Sequence, residues 1–410
     1  MTRSWTSRER MLAALDCKEP DHVPCSFMIF GTLKDRCRDY GQFIERQVEM
    51  GLDAFVELPP RPPVVANDYY NLHGLPVTYD PRVVVKEWLE EQPGESVPIM
   101  IKEYHTPGGV LRTEVRQTRD WRWGNHVPLF DDYLVPRTKK FLVTQPEDVE
   151  ALSYLLAPLP DAEIAAFRAE AQPILAQARR HGLLVAGGWG AAADVVAWLM
   201  GFENMIVLTA EQPDFMHALL EIVARWNRRR LEVLLEAGID LYLKRIFYES
   251  TDFWSPRLYR AFLQPILKAD VELAHQAGVT VGGMMTTGTL PLVDALVDAG
   301  LDAIIGIDPL VTDLAAIKHK AHGRIALWGG VNGYRTVEQD SEAKVRMEVA
   351  QAMEKLAPGG GFILSPVENV RDTSERTWHN IMALVDEWQK IAGQGPISQD
   401  PSDLVKLGSF

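Results

Sequence analysis

Ile325-Ala-Leu-Trp-Gly-Gly-Val-Asn332-Gly333 leads into a polar, helix-patterned stretch and then into Leu356-Ala-Pro-Gly-Gly-Gly-Phe-Ile-Leu-Ser-Pro-Val-Glu368-Asn369-Val-Arg371. Each half reads as a short apolar strand that ends in a polar, glycine-marked loop. Parallel α/β folds build their active sites where strands end. Asn332, Glu368, Asn369 and Arg371 therefore stand where chemistry is performed in such a fold.

Outward from this stretch one pattern recurs: a helical segment stops at glycine and an apolar run follows. It is found at Gly51-Leu-Asp-Ala-Phe-Val-Glu57, Gly182-Leu-Leu-Val-Ala-Gly187 and Gly238-Ile-Asp-Leu-Tyr-Leu243. It returns at Gly278-Val-Thr-Val-Gly282, Gly300-Leu-Asp-Ala-Ile-Ile305 and Gly323-Arg-Ile-Ala-Leu327. Glycine suits the position past a helix because it accepts positive φ without a Cβ clash. The runs are continuous rather than alternating, as in strands buried on both faces of a parallel sheet. With Val23–Phe30 as the first strand and Gly361–Leu364 as the last, eight strands are expected. Helical stretches such as 255–276, 289–298 and 341–356 lie between them. The fold class read from this is α/β, a (β/α)8 TIM barrel. An open doubly wound sheet is the alternative, weakened by the lack of a phosphate-cradling GxGxxG after the first strand.

Residues 59–145 break the rhythm. Val97–His105 and Val110–Arg116 alternate, with a turn at Thr106-Pro-Gly-Gly109 between them. This segment reads as a β-rich insertion between the second and third barrel strands. The remainder is expected to be one domain over 1–410, with 394–410 as a C-terminal tail.

The chain has 410 residues, 47% of them hydrophobic, and a net charge of −14. The acidic balance argues against nonspecific binding to nucleic acid or to an anionic membrane. Neither a secretory h-region nor an 18-residue apolar run is present, so a cytoplasmic location is expected. Cys17, Cys25 and Cys37 are the three cysteines. They form no CxxC pair and suggest neither a disulfide framework nor a zinc ribbon.

The stretch Lys244-Arg245-Ile-Phe-Tyr248-Glu249 ends a strand in two cations, a phenol and a carboxylate. Glu249 suits a general base or metal ligand, or a salt bridge to Arg245 or Lys244. Asp308, before Pro309, suits substrate binding or an Asx turn. Asn332 follows two glycines, which permit close approach of backbone to ligand or simply a turn. Arg371 suits bidentate recognition of a carboxylate or phosphate; with Glu368 and Asn369 it could equally be a capping cluster. Trp189 is read as an apolar or cation–π wall or as core. His105, His126 and His379 are the histidines placed nearest a mouth of the barrel, and each by itself reads more readily as structural or surface.

Several segments together resemble the uroporphyrinogen decarboxylase superfamily. They are Arg8-Glu-Arg-Met-Leu-Ala-Ala-Leu15 with Glu19-Pro-Asp-His-Val-Pro24, and Ser255-Pro-Arg-Leu-Tyr-Arg-Ala-Phe-Leu-Gln-Pro265. Trp328-Gly-Gly-Val-Asn-Gly333 and Ala357-Pro-Gly-Gly-Gly-Phe-Ile-Leu364 complete the likeness. The resemblance implies a barrel and a homodimer. It also implies one of two activities: cofactor-free decarboxylation of uroporphyrinogen, or methyl transfer involving corrinoid proteins or coenzyme M, commonly with a zinc-bound thiolate. Phe27-Met-Ile-Phe-Gly31 stands where the decarboxylases carry an Arg-containing carboxylate grip. Gly283-Met284-Met285-Thr-Thr-Gly288 stands where the zinc enzymes carry His-x-Cys-Gly. No zinc is expected, because Met and Thr are poor ligands for it; Met284 and Met285 would form a polarizable wall. Asn332 replaces the family's Asp, and Glu249 matches its acidic position after the fourth strand.

The resulting expectation is a methyltransferase or demethylase. It would move a one-carbon group between a small methylated substrate and a corrinoid or tetrahydrofolate carrier, with a corrinoid protein as a possible partner. Glu249, Asp308 and Glu368 would be catalytic. Trp189, Arg245, Tyr248, Met284, Met285, Asn332, Asn369 and Arg371 would bind substrate. The alternatives are a cofactor-free decarboxylase or lyase and a non-catalytic ligand-binding barrel.

Overall fold

A computed structural model describes residues 5–58 and 77–393 of the chain. The expected tail 394–410 and residues 59–76 of the expected insertion lie outside the described residues. Among the described residues eleven strands form: β1 (Phe55–Leu58), β2 (Val84–Glu90), β3 (Ile99–Thr106), β4 (Gly109–Arg116), β5 (Thr138–Lys140) and β6 (Leu184–Ala191), then β7 (Leu241–Arg245), β8 (Thr280–Met284), β9 (Ala303–Ile307), β10 (Ala326–Asn332) and β11 (Phe362–Val367). Strands β2 to β5 make an antiparallel sheet, and the other seven follow the order β1-β6-β7-β8-β9-β10-β11. Sheet order thus equals chain order, with helices in the connections, and the fold is α/β of the TIM-barrel type. The antiparallel sheet is inserted between β1 and β6. The six glycines that mark strand approaches all carry positive φ, from 61° at Gly182 to 84° at Gly238 and Gly300.

The chain divides into two compact units. One comprises Met1–Val56, Ala176–Leu184 and Asp302–Phe410; the other comprises Glu57–Leu175 and Val185–Leu301. In the first, β9, β10 and β11 pair parallel, with Trp328 opposite both Ile305 and Ile363. All three strands are buried at every position, as unbroken apolar runs require.

The expected first strand, Val23–Phe30, is reduced to two isolated parallel bridges, Cys25 to Leu364 and Ile29 to Asn369. Leu364 N–H still donates to the Pro24 carbonyl at 2.9 Å, and Ser26 N–H to the Leu364 carbonyl at 2.9 Å. Pro24 and Pro366 bring no N–H to this pairing, so a continuous ladder cannot form. The Ser365 hydroxyl takes over by accepting from Met28 N–H at 3.1 Å.

The N-terminal motif has a structural task in the same unit. Arg10, on the helix Ser7–Leu15, bonds Asp53 at 2.6 Å and Asp21 at 2.6 Å. That fastens the helix to the approach to β1. Asp53 is almost wholly buried, which pushes its carboxyl up to about 6 against the pull of Arg10.

In the second unit, β6, β7 and β8 pair parallel. The alternating runs of the insertion form the hairpin β3–β4, closed at Thr106 and Gly109. Ser255 caps the following helix by accepting from Leu258 N–H at 3.3 Å, with Pro256 in the first turn.

Candidate active site

Two clusters of ionisable side chains form at strand ends, one in each unit. In the second unit, β7 ends in Lys244 and Arg245, and strand alternation sends them to opposite faces. Lys244 pairs with Asp270 of the helix Gln264–Gln276, both 1% exposed. Arg245 Nε donates to Asp194 Oδ1 at 2.6 Å, and its Nη2 donates to Asp132 at 3.0 and 3.1 Å. The guanidinium lies 4.9 Å from the ring centroids of Trp198 and Phe247. Tyr248 completes the arrangement: its hydroxyl donates to Asp132 Oδ1 at 2.7 Å and its N–H to Asp194 Oδ2 at 3.1 Å. Asp194 is fully buried, which raises its carboxyl, while Arg245 opposes the rise. Arg245 is therefore committed between two carboxylates and holds the end of β7 in place.

The chain leaves β7 through the tight turn Phe247–Glu249. Glu249 is 1% exposed, and its Oε1 accepts from Ala193 N–H, at the start of the helix Ala193–Met200, at 3.4 Å. Burial pushes this carboxyl up to about 8, although Lys244 pulls the other way. Lys244 and Arg245 both hold other partners, so neither of the two salt bridges considered for Glu249 forms.

Trp189 is buried at φ 70°, unusual for a bulky residue, where the pairing of β6 with β7 shifts register. Its indole N–H bonds the Glu57 carboxylate. Gly190 beside it has no room for a Cβ against the Tyr242 hydroxyl. Met284 and Met285 are fully buried at the end of β8.

In the first unit, Asp308 follows β9. Its Oδ1 accepts from Leu310 N–H at 2.9 Å, an Asx turn, and its Oδ2 accepts from Asn332 Nδ2 at 2.7 Å. Asn332 Oδ1 accepts from Arg335 N–H at 2.6 Å, and Asn332 N–H donates to buried Glu348 at 3.1 Å. Glu368, just past β11, is an exposed residue at φ 66°. Desolvation of the carboxyl by the atoms around it holds it above the ordinary range, the Asp308 charge adds to this, and Arg371 opposes it. Arg371 N–H donates to Glu338 Oε1 at 2.6 Å. Asn369 is turned to another task, accepting from Gly31 N–H at 3.0 Å. The unit thus brings Asp308, Asn332, Glu368 and Arg371 into one electrostatic group.

Sequence reading missed Asp132, Asp194, Asp270 and Glu338. Asp194 had a visible signal, a single carboxylate inside the apolar run Ala191–Met200. His105 and His379 bond within their own elements, to Glu103 and to the Glu375 carbonyl, and His126 bonds Glu87 of β2, each at 3.0 Å.

The residues present do not fit a thiolate-bound zinc. Both methionines of 283–288 are packed in the core. Among the described residues, no three His, Cys, Asp or Glu side chains converge as metal ligands.

A family model described as uroporphyrinogen decarboxylase (URO-D) matches residues 129–389. Proteins named uroporphyrinogen decarboxylase from Cupriavidus necator and Cupriavidus pinatubonensis are 30% and 29% identical over 167 residues. That match covers 39% of this chain and 43% of each relative, so less than half of their length. A solved methyltransferase from Methanosarcina mazei aligns with 95% of this chain and 99% of its own, at a TM-score of 0.60 and 17% identity, a likeness of fold.

Proposed function

The chain belongs to the uroporphyrinogen decarboxylase family, and from that premise we propose that it is a methyltransferase or demethylase. It moves a methyl group between a small methylated substrate and a corrinoid or tetrahydrofolate-like carrier, the corrinoid being presented by a partner protein. The observation that carries the reading is Glu249, a buried carboxyl raised to about 8 just past a barrel strand. At neutral pH it holds its proton. Cleaving a methyl–oxygen bond leaves a basic oxygen, and a positioned acid speeds that step by about 10²–10⁴-fold. Glu249 donates the proton to the leaving oxygen, and the methyl passes out of the substrate. The carrier, when bound, supplies the methyl acceptor. Arg245, Asp194 and Asp132 hold the strand end rigid, so that Glu249 is positioned before substrate arrives. The loop beyond it passes from buried Ser250 to exposed Asp252, opening towards solvent.

The test is incubation with methyl ethers, methyl thioethers and methylated amines, each with free cobalamin or tetrahydrofolate, and detection of the methylated carrier by mass. Wild type should methylate a carrier from an ether, and Glu249→Gln should lower kcat at least about 100-fold. Failure of both carriers to bind by calorimetry would sink the proposal.

Arg371 favours a second reading, a cofactor-free decarboxylase of a smaller acid. Its residue is exposed and its charge acts on Glu368. Carbon dioxide release without a carrier, lost in Arg371→Met, would select that reading. Ligand binding without turnover of any kind would mark a non-catalytic barrel.

A further inference from the structure

Tyr259 lies on a turn whose hydrogen bonds run from residue i to i+5, Tyr259–Leu263, set between Pro256–Leu258 and Gln264–Gln276. Gln264 N–H donates to the Tyr259 carbonyl across this widened turn. The cause is in the sequence. Pro265 has no N–H for the carbonyl four residues before it, and its ring crowds that carbonyl. Widened turns of this kind displace one side chain from the helical register and are frequent at functional sites. The side chain concerned here is Tyr259, fully buried, and its hydroxyl has no hydrogen-bond partner among the described residues. A buried hydroxyl left unmade is costly, by about 1–3 kcal/mol, and calls for an explanation.

Glu249 is close enough that its charge acts on the Tyr259 phenol. The charges that act on Glu249 come from three elements, Lys244 on β7, Asp194 on the helix Ala193–Met200 and Asp270 on the helix Gln264–Gln276, and Glu249 in turn acts on Tyr259 of the widened turn. Lys244 is bound to Asp270, and Asp194 to Arg245. Tyr259 is the neighbour whose polar atom has no partner at all among the described residues.

We propose that Tyr259 is a positioning residue for Glu249: its hydroxyl is the donor that receives the carboxylate once Glu249 has given up its proton. The ionised form then gains a charge-assisted hydrogen bond that the protonated form does not need. No bond other than the O–H of Glu249 is broken, and the tyrosine keeps its own proton. The idea rests on Glu249 cycling between its two forms, as the proposed reaction requires, but its test does not use turnover.

The experiment is a pH titration of the purified full chain by infrared difference spectroscopy, following the carbonyl band of the protonated carboxyl. Loss of the band in Glu249→Gln assigns it. In Tyr259→Phe the midpoint should rise by about one to two pH units, the loss of a hydrogen bond to a charged group. In wild type the tyrosine C–O band should shift in step with the Glu249 band, a readout that does not depend on the variant folding. An unchanged or lowered midpoint, or a tyrosine band indifferent to the Glu249 titration, overturns the proposal. A raised midpoint in a protein that methylates no carrier would uphold it while rejecting the methyl-transfer reading.

Discussion

Glu249 and Glu368 each stand just past a buried barrel strand, one in each unit, and both are held above the ordinary carboxylate range. Glu249 is 1% exposed, with fixed ion pairs around it. Glu368 is an exposed residue at φ 66°, with Asp308 and Arg371 acting on it. Burial alone can hold a carboxyl neutral, but it also demands that every neighbouring charge be paired. At Glu368 loss of water around the carboxyl is again the first cause, but the Asp308 and Arg371 charges act on it beside solvent, and the backbone holds a conformation that a side chain rarely adopts. A packed site of the first kind is stable to its surroundings. One of the second kind responds to them.

Breaking the packed site should have the largest effect. Arg245→Met leaves Asp194, fully buried, without its cation. We expect a loss of about 3–5 kcal/mol in urea unfolding, the usual result of stranding one member of a buried pair. Replacing half-buried Asp132 by Asn should cost far less, because water can serve the remaining groups. Equal losses in the two variants would show that burial does not set the energetics here.

The next test uses the proton. Glu249 has an ordinary value of 4.5 and a folded value of about 8. Between them the folded state keeps a proton that the unfolded state has released, so the contribution of Glu249 to stability falls as pH rises. Below pH 4.5 it is fully present, and above about 8 the loss is complete. Stability of Glu249→Gln relative to wild type should therefore grow by about 1 kcal/mol per pH unit through this window and then level off. Asp53 and Asp131, each raised to about 6 by burial, contribute with the same sign in both proteins and cancel in the difference. A flat difference would refute the buried-acid reading.

The strand ends of both sites could be read from the chain, but the partners that hold them could not. Glycine at the foot of each strand and the unbroken apolar runs are local signals, and they located β1 and β6 to β11. Val23–Phe30 shares the apolar run but fails as a strand, because Pro24 meets a partner strand that carries its own proline, Pro366. Asp132 lies 113 residues before Arg245, so no spacing rule joins them. Asp194 shows only as one charge in an apolar helix. The backbone at Glu368 and Trp189 was invisible for another reason: positive φ in a side-chain-bearing residue is imposed by surroundings, and no residue type announces it. Tyr259 falls inside the helical stretch read over 255–276, and the widened turn alone sets it apart.

Strain at Glu368 can be tested directly. Positive φ costs a side-chain-bearing residue about 1–2 kcal/mol, and glycine gives back part of that as unfolded-state entropy. Glu368→Gly should raise stability by about 0.5–1 kcal/mol in urea unfolding and lower turnover of whichever substrate the wild type accepts. A stabilised, impaired variant marks a conformation kept for function. A destabilised variant would mean that the Glu368 side chain holds its loop together, and that the strain reading is wrong.

The smallest effect separates the two carboxyls most cleanly. Salt screens charges that water can reach, over about 10 Å at 0.1 M and about 3 Å at 1 M, and barely touches charges buried together. At Glu368 the Asp308 charge raises the carboxyl by more than Arg371 lowers it. Screening both should bring its midpoint down by a few tenths of a pH unit between low and high salt, an order-of-magnitude expectation for exposed pairs. The neighbours of Glu249 are Lys244, Asp194 and Asp270, all within 1% of complete burial. Its midpoint should stay where it is. Both can be followed in one infrared titration, with Glu249→Gln and Glu368→Gln assigning the bands. If the Glu249 midpoint moved with salt as much as that of Glu368, solvent ions would be reaching it. Its raised value would then owe more to accessible charges than to burial, and the contrast between the two sites would be lost.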